Sequence, residues 1–491
     1  MEKNLPEIIF ASSDKTISKK ISQMVKNGKI RKLFPRVYTS NPNDSAIEIV
    51  RRNIYQILGG LYPEAIISHR SALKGGLVNN RVIFLSYKYT KKVNIPGIVI
   101  RLQKGPAALP DDKPFINNLY ISSLARALLE NMQASRDRGD LSKTLPIEEI
   151  EQLIEKQIKI HGNEKINQIR DRAREISDIF NWQKEFKKLS QIMSAMLKTH
   201  ASKILKSPVA LARAFGMPYD EYRLALFQKL YTTLINTELP YRKQKAISES
   251  SWINSAFIEA YFSNFIEGTE LSIEEAEEII FNHKIPDTRP EDAHDILGTY
   301  KIVSDKYEMN VIPDSFEHLI ELLKGRHTIL MSDRRHKNPG QFKGTPNRAG
   351  QTEFVSPELV KGTLKKGFEI YQAIEEPFAR AIYMMFLISE IHPFNDGNGR
   401  IARIMMNADL HHFNLVRIII PTVFRDDYLE SLRALSRSGL TRPIIKMADR
   451  AQQFTSEINF DDLDNVLVTL KKCNAFDDHN TQRLILPHDV Q

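Results

Sequence analysis

Residues 377–409 constrain the fold more than any other part of this 491-residue chain. Residues 377–391 are apolar almost all round, which predicts a helix buried in a domain core. The next residues read His-Pro-Phe-Asn-Asp-Gly-Asn-Gly-Arg, and residues 401–409 again have helical periodicity. The segment therefore predicts a buried helix, a glycine-containing loop and a second helix.

The loop carries residue types that suit phosphate chemistry. Gly397 and Gly399 permit backbone conformations in which amide groups point toward an anion, and the dipole at a helix start favours negative charge there. Arg400 and Arg403 add guanidinium groups that match phosphate oxygens. Asp396 is a carboxylate of the kind that Mg²⁺ accepts together with substrate phosphates.

A histidine at the mouth of the loop completes the pattern. His392 is the one nearby group whose unperturbed pKa suits a general base at neutral pH. Singly, a histidine before a proline, a Gly-Asn-Gly turn or an Arg-x-x-Arg pair is most often structural. Their combination within twelve residues predicts an active site that handles phosphate groups.

The loop matches the signature of the Fic family, His-x-Phe-x-(Asp/Glu)-Gly-Asn-Gly-Arg-x-x-Arg, at His392, Phe394, Asp396, Gly397, Asn398, Gly399, Arg400 and Arg403. The chain resembles this family over residues 215–485, which implies transfer of AMP from ATP to a Ser, Thr or Tyr hydroxyl of a protein target. By that resemblance His392 is the catalytic base, Phe394 anchors the loop and Asp396 holds Mg²⁺. The ATP-binding residues that the resemblance implies are Asp396, Gly397, Asn398, Gly399, Arg400, Ile401, Ala402, Arg403 and Tyr428.

A second segment, Ser263-Asn-Phe-Ile-Glu-Gly268, matches the inhibitory motif of the same family. The resemblance implies that Ser263, Glu267 and Gly268 belong to an inhibitory helix and that Glu267 pairs with Arg403 in the place of the γ-phosphate. Gly268 can end this helix, and Ser272 together with Glu275 predicts a capping box at the start of the next helix. Resting activity is then expected to be low. Relatives with this glutamate also remove AMP from proteins, so AMP removal stays an alternative.

Residues 339–357 resemble the flap of the family, a β-hairpin over the active site. Tyr428 stands where relatives line the adenine pocket, but the second tyrosine of many relatives is Leu429 here. The family also leaves open self-modification at an unassigned hydroxyl and formation of a homodimer. The flap residues expected to dock the target as an added strand are Thr345, Pro346, Asn347, Arg348, Ala349 and Gly350.

The basic charge of the chain lies in its N-terminal fifth. Residues 1–110 hold 19 Lys and Arg against 6 Asp and Glu, whereas the whole chain has a net charge of +9. Apolar spacing predicts a helix over residues 16–26, and residues 30–33 and 37–39 predict two short strands, the pattern of a helix followed by a wing. Such a basic surface either contacts the phosphates of DNA or is a solvated face. The candidate DNA-contacting residues are Lys15, Lys19, Lys20, Lys26 and Lys29.

The region after the wing predicts a helix over residues 45–61, strands over 82–86 and 98–102, and helices over 119–132 and 146–161. With the wing, residues 66–73 and 122–129 resemble antitoxin-like transcriptional regulators of the AbiEi type over residues 5–205. That resemblance implies binding near a promoter. The alternative function of the chain is therefore a DNA-binding regulator whose Fic half senses ATP or removes AMP.

We expect a mainly α-helical chain, with an all-helical Fic core and a β-hairpin flap preceded by a winged-helix α+β region. A single cysteine, Cys473, excludes an intrachain disulfide and favours the cytoplasm, and no apolar stretch is long enough for a membrane span. Residues 460–470 predict a helix, and residues 198–207 are the expected main boundary. The predicted domains are a winged helix-turn-helix at 1–60, an AbiEi-like region at 61–205, an inhibitory-helix region at 206–300, the Fic core at 301–440 and a helical tail at 441–491.

Overall fold

The structure is a computed structural model that describes residues 5–79, 81–197, 205–245, 247–269, 271–286, 289–350, 352–478 and 480–490. It divides into two compact units, Met1–Gly216 and Met217–Gln491. Residues 198–204 of the predicted lysine-rich boundary lie outside the described residues. Ser207 caps a helix whose Ala210 packs in the core of the first unit, so the division comes after that helix. The finer division into five domains stays a prediction.

The first unit begins with a small sheet and a basic helix. Strand β1 (Ile8–Phe10) pairs with β3 (Val37–Thr39), which pairs with β2 (Arg31–Phe34), and both pairings are antiparallel. Helix α1 (Lys15–Lys26) begins after Asp14, whose carboxylate accepts hydrogen bonds from two backbone amides of the first turn. The structure therefore confirms an α+β N-terminal region and adds β1 to the two predicted strands.

Two helices follow where one was predicted over residues 45–61. Helix α2 (Ala46–Arg52) starts with a capping box between Ser45 and Glu48. Asn53, with a φ of −108° and a ψ of 14°, lies outside the helical range and separates α2 from α3 (Ile54–Leu61). The apolar pattern continues across Asn53, which is why the sequence predicted a single helix.

A six-stranded mixed sheet forms the middle of the first unit, in the order β6-β7-β5-β4-β9-β8. Helices α4 (His69–Leu73) and α5 (Leu124–Asn131) belong to the same region. The predicted helix over residues 119–132 is wrong at its start, because residues 119–121 pair with β4 and β8 and the helix begins only at Leu124. The strands are β4 (Ile66–Ile67), β5 (Val82–Tyr87), β6 (Lys91–Ile95), β7 (Ile98–Lys104), β8 (Lys113–Phe115) and β9 (Leu119–Ile121).

Three helices complete the first unit: α6 (Ile147–Phe180), α7 (Gln183–Met196) and α8 (Pro208–Ala214). Helix α6 continues beyond its predicted end at residue 161, with a break at Gly162, where φ is 76°. Apolar residues of all three helices share one core.

The described part of the second unit is helical apart from a short hairpin of β10 (Arg348–Ala349) and β11 (Thr352–Glu353). Helix α16 is buried on nearly all sides, as its apolar sequence predicts. The last helix begins at Leu463, after its capping residue Asp462, three residues later than predicted. The helices are α9 (Glu221–Ile235), α10 (Glu249–Ile266), α11 (Ile273–Asn282), α12 (Pro290–Val303), α13 (Lys306–Met309), α14 (Phe316–Leu330), α15 (Pro357–Tyr371), α16 (Pro377–Ile391), α17 (Asn398–His412), α18 (Arg425–Ser438), α19 (Arg442–Ser456) and α20 (Leu463–Lys472).

The mainly α-helical fold is thus confirmed. The predicted capping box at the start of α11 is also present: Ser272 accepts from the amide of Glu275, and the Glu275 carboxylate accepts from the amide of Ser272. Within the described ranges, no helix combines the length and the apolar content that a membrane span requires.

Helices α12 and α14 cross closely at Gly298, so a side chain there is expected to destabilise the second unit. A Cβ atom at residue 298 would lie 2.7 Å from the carbonyl oxygen of Leu330 on α14. Gly298→Ala should lower the free energy of unfolding by about 1–3 kcal/mol, measured by chemical denaturation. The control is Gly325→Ala within α14, where a Cβ has no neighbour within 4 Å. The higher helix propensity of alanine should raise the free energy of unfolding of this variant by about 0.5–1 kcal/mol. Equal stability of the two variants would contradict the close crossing.

Candidate active site

The loop between α16 and α17 is fixed by its backbone at both ends. Helix α16 ends at His392, which has a left-handed φ of 53° and donates its amide hydrogen to the carbonyl of Ile388. Pro393 follows and cannot continue the helix. Gly397, with a φ of 71°, caps α17, and a Cβ there would lie 3.0 Å from the sulfur of Met331. The conformation therefore requires glycine at residue 397.

Asn398 closes this loop rather than facing an open pocket. Its Oδ1 accepts from the amide of Phe394 at 2.8 Å and its Nδ2 donates to the carbonyl of Phe394 at 2.9 Å. Both polar groups of the amide are thus engaged within the loop, and the residue is buried. The predicted role of Asn398 in ATP binding would require its side chain to leave these bonds. Ile401 and Ala402 are also fully buried, so they would contact ATP only after a rearrangement.

Phe394 anchors the loop by stacking on His327, a residue that the sequence analysis missed. The two rings lie 3.8 Å apart with an interplanar angle of 5°. Nδ1 of His327 accepts from the amide of Gly340, so its Nε2 carries the hydrogen and donates to the carbonyl of Asp396 at 3.1 Å. Burial lowers the pKa of His327 to about 4, which keeps the ring neutral. The sequence around His327 gave no signal for this role.

His392 is held in the protonation state that a base needs. Nδ1 lies 3.2 Å from the carbonyl oxygen of Ser389, and because a carbonyl only accepts, Nδ1 carries the hydrogen and the lone pair is on Nε2. The ring stacks on Phe354 at 3.7 Å, which fixes its plane. Burial, aided by the charge of Lys343, lowers the pKa of His392 to about 4. The imidazole is therefore neutral at pH 7 and can accept a proton.

Arg403 joins the inhibitory motif to the loop. Its Nη2 donates to Oε1 of Glu267 at 2.7 Å and to the carbonyl of Ser263 at 2.8 Å, and its Nε donates to Oγ of Ser263 at 3.0 Å. Nη1 lies 3.4 Å from the hydroxyl of Tyr428, which is buried against the arginine. The predicted Glu267–Arg403 pair is thus present, and Tyr428 contacts the arginine. Its place in an adenine pocket stays a prediction.

The Glu267 carboxylate lies over the first turn of α17. A Cβ at Gly399 would collide with Oε1 of Glu267, so the carboxylate occupies the space next to the helix start where an anion is most favoured. The Glu267 side chain is about one third exposed, and its partial burial disfavours ionisation, but the charges of Arg403 and Arg400 outweigh this and hold the pKa of Glu267 below its ordinary value. Gly268 has a φ of 98° and turns the chain away directly after it. An ATP phosphate and Glu267 would compete for this position.

Arg400 is buried and already paired. Its Nη1 donates to Oδ2 of Asp295 at 2.8 Å and to Oδ1 of Asn264 at 3.2 Å. The sequence analysis identified neither partner, because α12 and α10 bring them to the loop only through tertiary packing. Asp295 also pairs with Arg334, so one carboxylate orients two cations. The Nε of Arg400 is buried and has no hydrogen-bond partner among the described residues.

Asp396 is the one carboxylate of the loop between α16 and α17. Its Oδ1 accepts from the amide of Gly397 at 2.7 Å, and Oδ2 lies 3.4 Å from Nζ of Lys337. Burial opposes ionisation, but the Gly397 amide and the charges of Arg400 and Lys337 hold the pKa of Asp396 below its usual range. The described residues contain no cluster of three or more His, Cys, Asp or Glu side chains that could hold a metal ion. One carboxylate fits Mg²⁺ when substrate phosphates and water supply its other ligands.

The flap approaches the loop through its base. Asn347 donates from Nδ2 to the carbonyl of Phe394 at 2.9 Å, and the amide of Lys343 donates to the carbonyl of Pro393 at 2.9 Å. Lys343 is buried, and this burial lowers its pKa to about 7, with a further contribution from the charge of Arg223. The remaining residues of the predicted docking segment, Thr345, Pro346, Arg348, Ala349 and Gly350, are exposed.

The N-terminal lysines lie in the other unit. Lys15, Lys19, Lys20, Lys26 and Lys29 are all exposed. Spacings of four and seven residues place Lys15, Lys19 and Lys26 on one face of α1. Of the apolar residues that predicted this helix, only Ile21 is buried, whereas Ile17 and Val25 are exposed.

Comparisons with known proteins agree with the signature of the loop. The pattern of the Fic/DOC family matches residues 318–410. A Fido domain-containing protein of Dictyostelium discoideum is 31% identical over 114 residues, which cover 22% of this chain and 76% of that protein. Protein adenylyltransferase fic-1 of Caenorhabditis elegans is 24% identical over 206 residues, which cover 39% of this chain and 38% of that protein. The protein adenylyltransferase Fic of Drosophila persimilis is 28% identical over 213 residues, 41% of each chain.

The chain thus spans less than half of each of these two adenylyltransferases. Among solved structures, Fic-1 of C. elegans has a TM-score of 0.35 and 20% identity, over 62% of this chain and 88% of that one. IbpAFic2 in complex with adenylylated Cdc42 has a TM-score of 0.33 and 16% identity, over 61% of this chain and 84% of that one. The AbiEi-like resemblance of the N-terminal region stays a prediction. Because the family pattern matches and the Dictyostelium relative is 31% identical over 76% of its length, the chain belongs to the Fic/DOC family.

Proposed function

We propose that this protein transfers AMP from ATP to a hydroxyl group of a protein target and that Glu267 restrains the reaction. One observation carries the proposal: a neutral His392 with a free Nε2 lone pair stands beside a helix start whose anion position is taken by Glu267. The names of the adenylyltransferase relatives support the same reaction.

The base is His392. Its Nε2 takes the proton of the attacking Ser, Thr or Tyr hydroxyl, while the Nδ1–H bond to the Ser389 carbonyl keeps the ring oriented. The hydroxyl oxygen forms a bond to the α-phosphorus as the bond from that phosphorus to the bridging oxygen breaks. Pyrophosphate leaves with the electron pair, and AMP stays on the target.

The loop and its arginines hold the triphosphate. Backbone amides at residues 398 and 399 would hold phosphate oxygens at the start of α17, and Arg400, oriented by Asp295, would take the β and γ end. Bound Mg²⁺ would neutralise developing phosphate charge, and Asp396 is the residue that would hold it. Arg403 is free to take a phosphate oxygen only when Glu267 has left it.

The target docks at the flap. Arg348 and Ala349 are exposed and belong to a two-stranded hairpin, whose edge can accept an extended segment through main-chain hydrogen bonds. Recognition through the main chain makes few demands on target sequence. Pro346 lacks an amide hydrogen and shortens this pairing. The same site can act on a hydroxyl of another copy of the chain, as in self-modification or within a homodimer.

Removal of the Glu267 side chain is expected to raise AMP transfer. With α-phosphate-labelled ATP and Mg²⁺, Glu267→Gly should label protein at least about tenfold faster than the wild type, because the γ-phosphate gains Arg403. Adding His392→Ala to this variant should lower the rate by about a hundredfold or more, the usual contribution of a general base. Glu274→Gly, which removes an exposed carboxylate of α11, is the control and should leave the rate unchanged.

Each outcome tests a separate part of this proposal. A wild type as active as Glu267→Gly would refute the restraint by Glu267. Absence of label in Glu267→Gly, with ATP binding established by calorimetry, would refute AMP transfer and favour AMP removal, which the same glutamate could assist by positioning water.

A second candidate function is DNA binding by the N-terminal region, and one observation favours it. Lys15, Lys19 and Lys26 share an exposed face of α1, where like charges repel each other unless an anionic partner covers them. A DNA backbone supplies such a partner, and long lysine side chains reach phosphates from a helix in the major groove. The two functions can coexist in one chain.

DNA affinity is expected to depend on salt through these lysines. For a duplex carrying the promoter of its own gene, log affinity should fall linearly with log salt, and Lys15→Gln, Lys19→Gln and Lys26→Gln together should reduce the slope by about 3. The control combines Lys184→Gln, Lys187→Gln and Lys188→Gln, which remove exposed charges from α7. Fluorescence anisotropy at several salt concentrations measures the affinity and the slope for each triple variant. No binding at low salt, or equal loss in both variants, would rule out this surface.

A further inference from the structure

A cavity of about 910 Å³ lies within the second unit, and none of residues 392–403 lines it. Its walls are the segment before α10, the first half of α10, the C-terminal end of α17, the segment that follows α17, the end of α19 and the segment after it. This volume falls in the range of sites that hold nucleotide-sized molecules. The AMP-transfer chemistry proposed above leaves this cavity without a role.

Most of the charged side chains that line the cavity are basic. Two acidic residues also line it, but Glu457 accepts a hydrogen bond from His488 and Asp461 accepts one from Ser248. In the part of the chain that the structure describes, Lys243 and Lys245 are exposed and have no ion pair. The basic residues of the lining are Arg242, Lys243, Lys245, Lys306 and Arg417.

Arg417 has one donor group that nothing satisfies. The side chain is only 5% exposed, its Nη1 donates to Glu259 at 2.8 Å, and its guanidinium stacks on Trp252 at 3.8 Å from the ring centre. Its Nη2 is buried and has no hydrogen-bond partner among the described residues. A buried N–H of a charged group without an acceptor is costly, so this guanidinium gains from a further acceptor. Arg417 lines the cavity, so an anion bound there can take up this donor once the guanidinium turns toward it.

The pair of Arg417 and Glu259 also connects the cavity to the helices of the candidate active site. Glu259 accepts from Nδ2 of Asn407 at 2.8 Å. Glu259 lies one turn before Ser263 on α10, and Asn407 lies one turn after Arg403 on α17. The wall of the cavity is therefore built from the same two helices that hold the Glu267–Arg403 pair.

We propose that this cavity binds a small phosphorylated molecule. Arg417 and the lysines at residues 243 and 306 hold its phosphate oxygens. Phosphate fits better than a single carboxylate because cations approach the cavity from several elements, and a phosphate group offers acceptors in several directions. Lys306, now paired with Glu249 at the rim, can turn its ammonium group to the ligand because both partners are partly exposed.

The test is calorimetric titration of the full chain with inorganic pyrophosphate in the absence of metal. Lys243→Gln with Lys306→Gln should weaken binding at least about tenfold, since two cations leave the site. The matched control, Lys301→Gln with Lys361→Gln, removes the same charge from exposed positions outside the cavity and should change affinity less than about threefold. Arg417→Lys keeps a positive charge beside Glu259 but lacks the Nη2 group of the guanidinium. This variant should also weaken pyrophosphate binding about tenfold.

A further variant separates this cavity from the loop at residues 392–403. Arg400→Gln should keep the cavity's pyrophosphate binding, because Arg400 lies outside its lining. Loss of binding in Arg400→Gln together with full binding in the double lysine variant would overturn the proposal and assign the anion to the loop. Absence of saturable binding by the wild type would overturn it as well. These experiments measure pyrophosphate binding and not AMP transfer, so their result does not depend on the function proposed above.

Discussion

The burial of Arg403 is the constraint on which the second unit depends. A guanidinium that is 4% exposed must be paired, and its partners are Ser263 and Glu267 of the inhibitory motif and Tyr428 on α18. The arginine is at once a packing element between α10, α17 and α18 and a member of the candidate active site. A ligand that takes one of its donors must therefore compete with a contact that also stabilises the fold.

Two features of the loop make this competition chemically meaningful. The Asn398 amide closes the loop on Phe394, so the loop keeps its shape whether or not a ligand is present. His392 is neutral, oriented by Ser389 and stacked on Phe354, so it would need no rearrangement to act as the proposed base. In the proposed reaction the last phosphate would need the space that Glu267 occupies over the start of α17. We infer that removal of this one carboxylate would release a site that is otherwise assembled.

Local signals in the sequence predicted the parts that depend on local chemistry. The apolar run of α16, the glycine at residue 397 and the capping box at Ser272 are all encoded by neighbouring residues. Asp295 beside Arg400 and His327 beneath Phe394 could not be predicted, because tertiary packing alone brings α12 and α14 to the loop. The wrong prediction of a helix from residue 119 has the same origin. Pairing of β9 with β4 and β8 makes residues 119–121 a strand, although their apolar pattern also suits a helix.

The position of ATP relative to Glu267 can be seen in crystal structures of the wild type and of Glu267→Gly, each with ATP and Mg²⁺. We expect the γ-phosphate to contact Arg403 only in the glycine variant and the α-phosphate then to lie within reach of His392 Nε2. In the wild type, Glu267 should keep Arg403 and the α-phosphate should lie away from the histidine. An identical ATP pose in both structures, with Glu267 still bound to Arg403 in the wild type, would contradict the account.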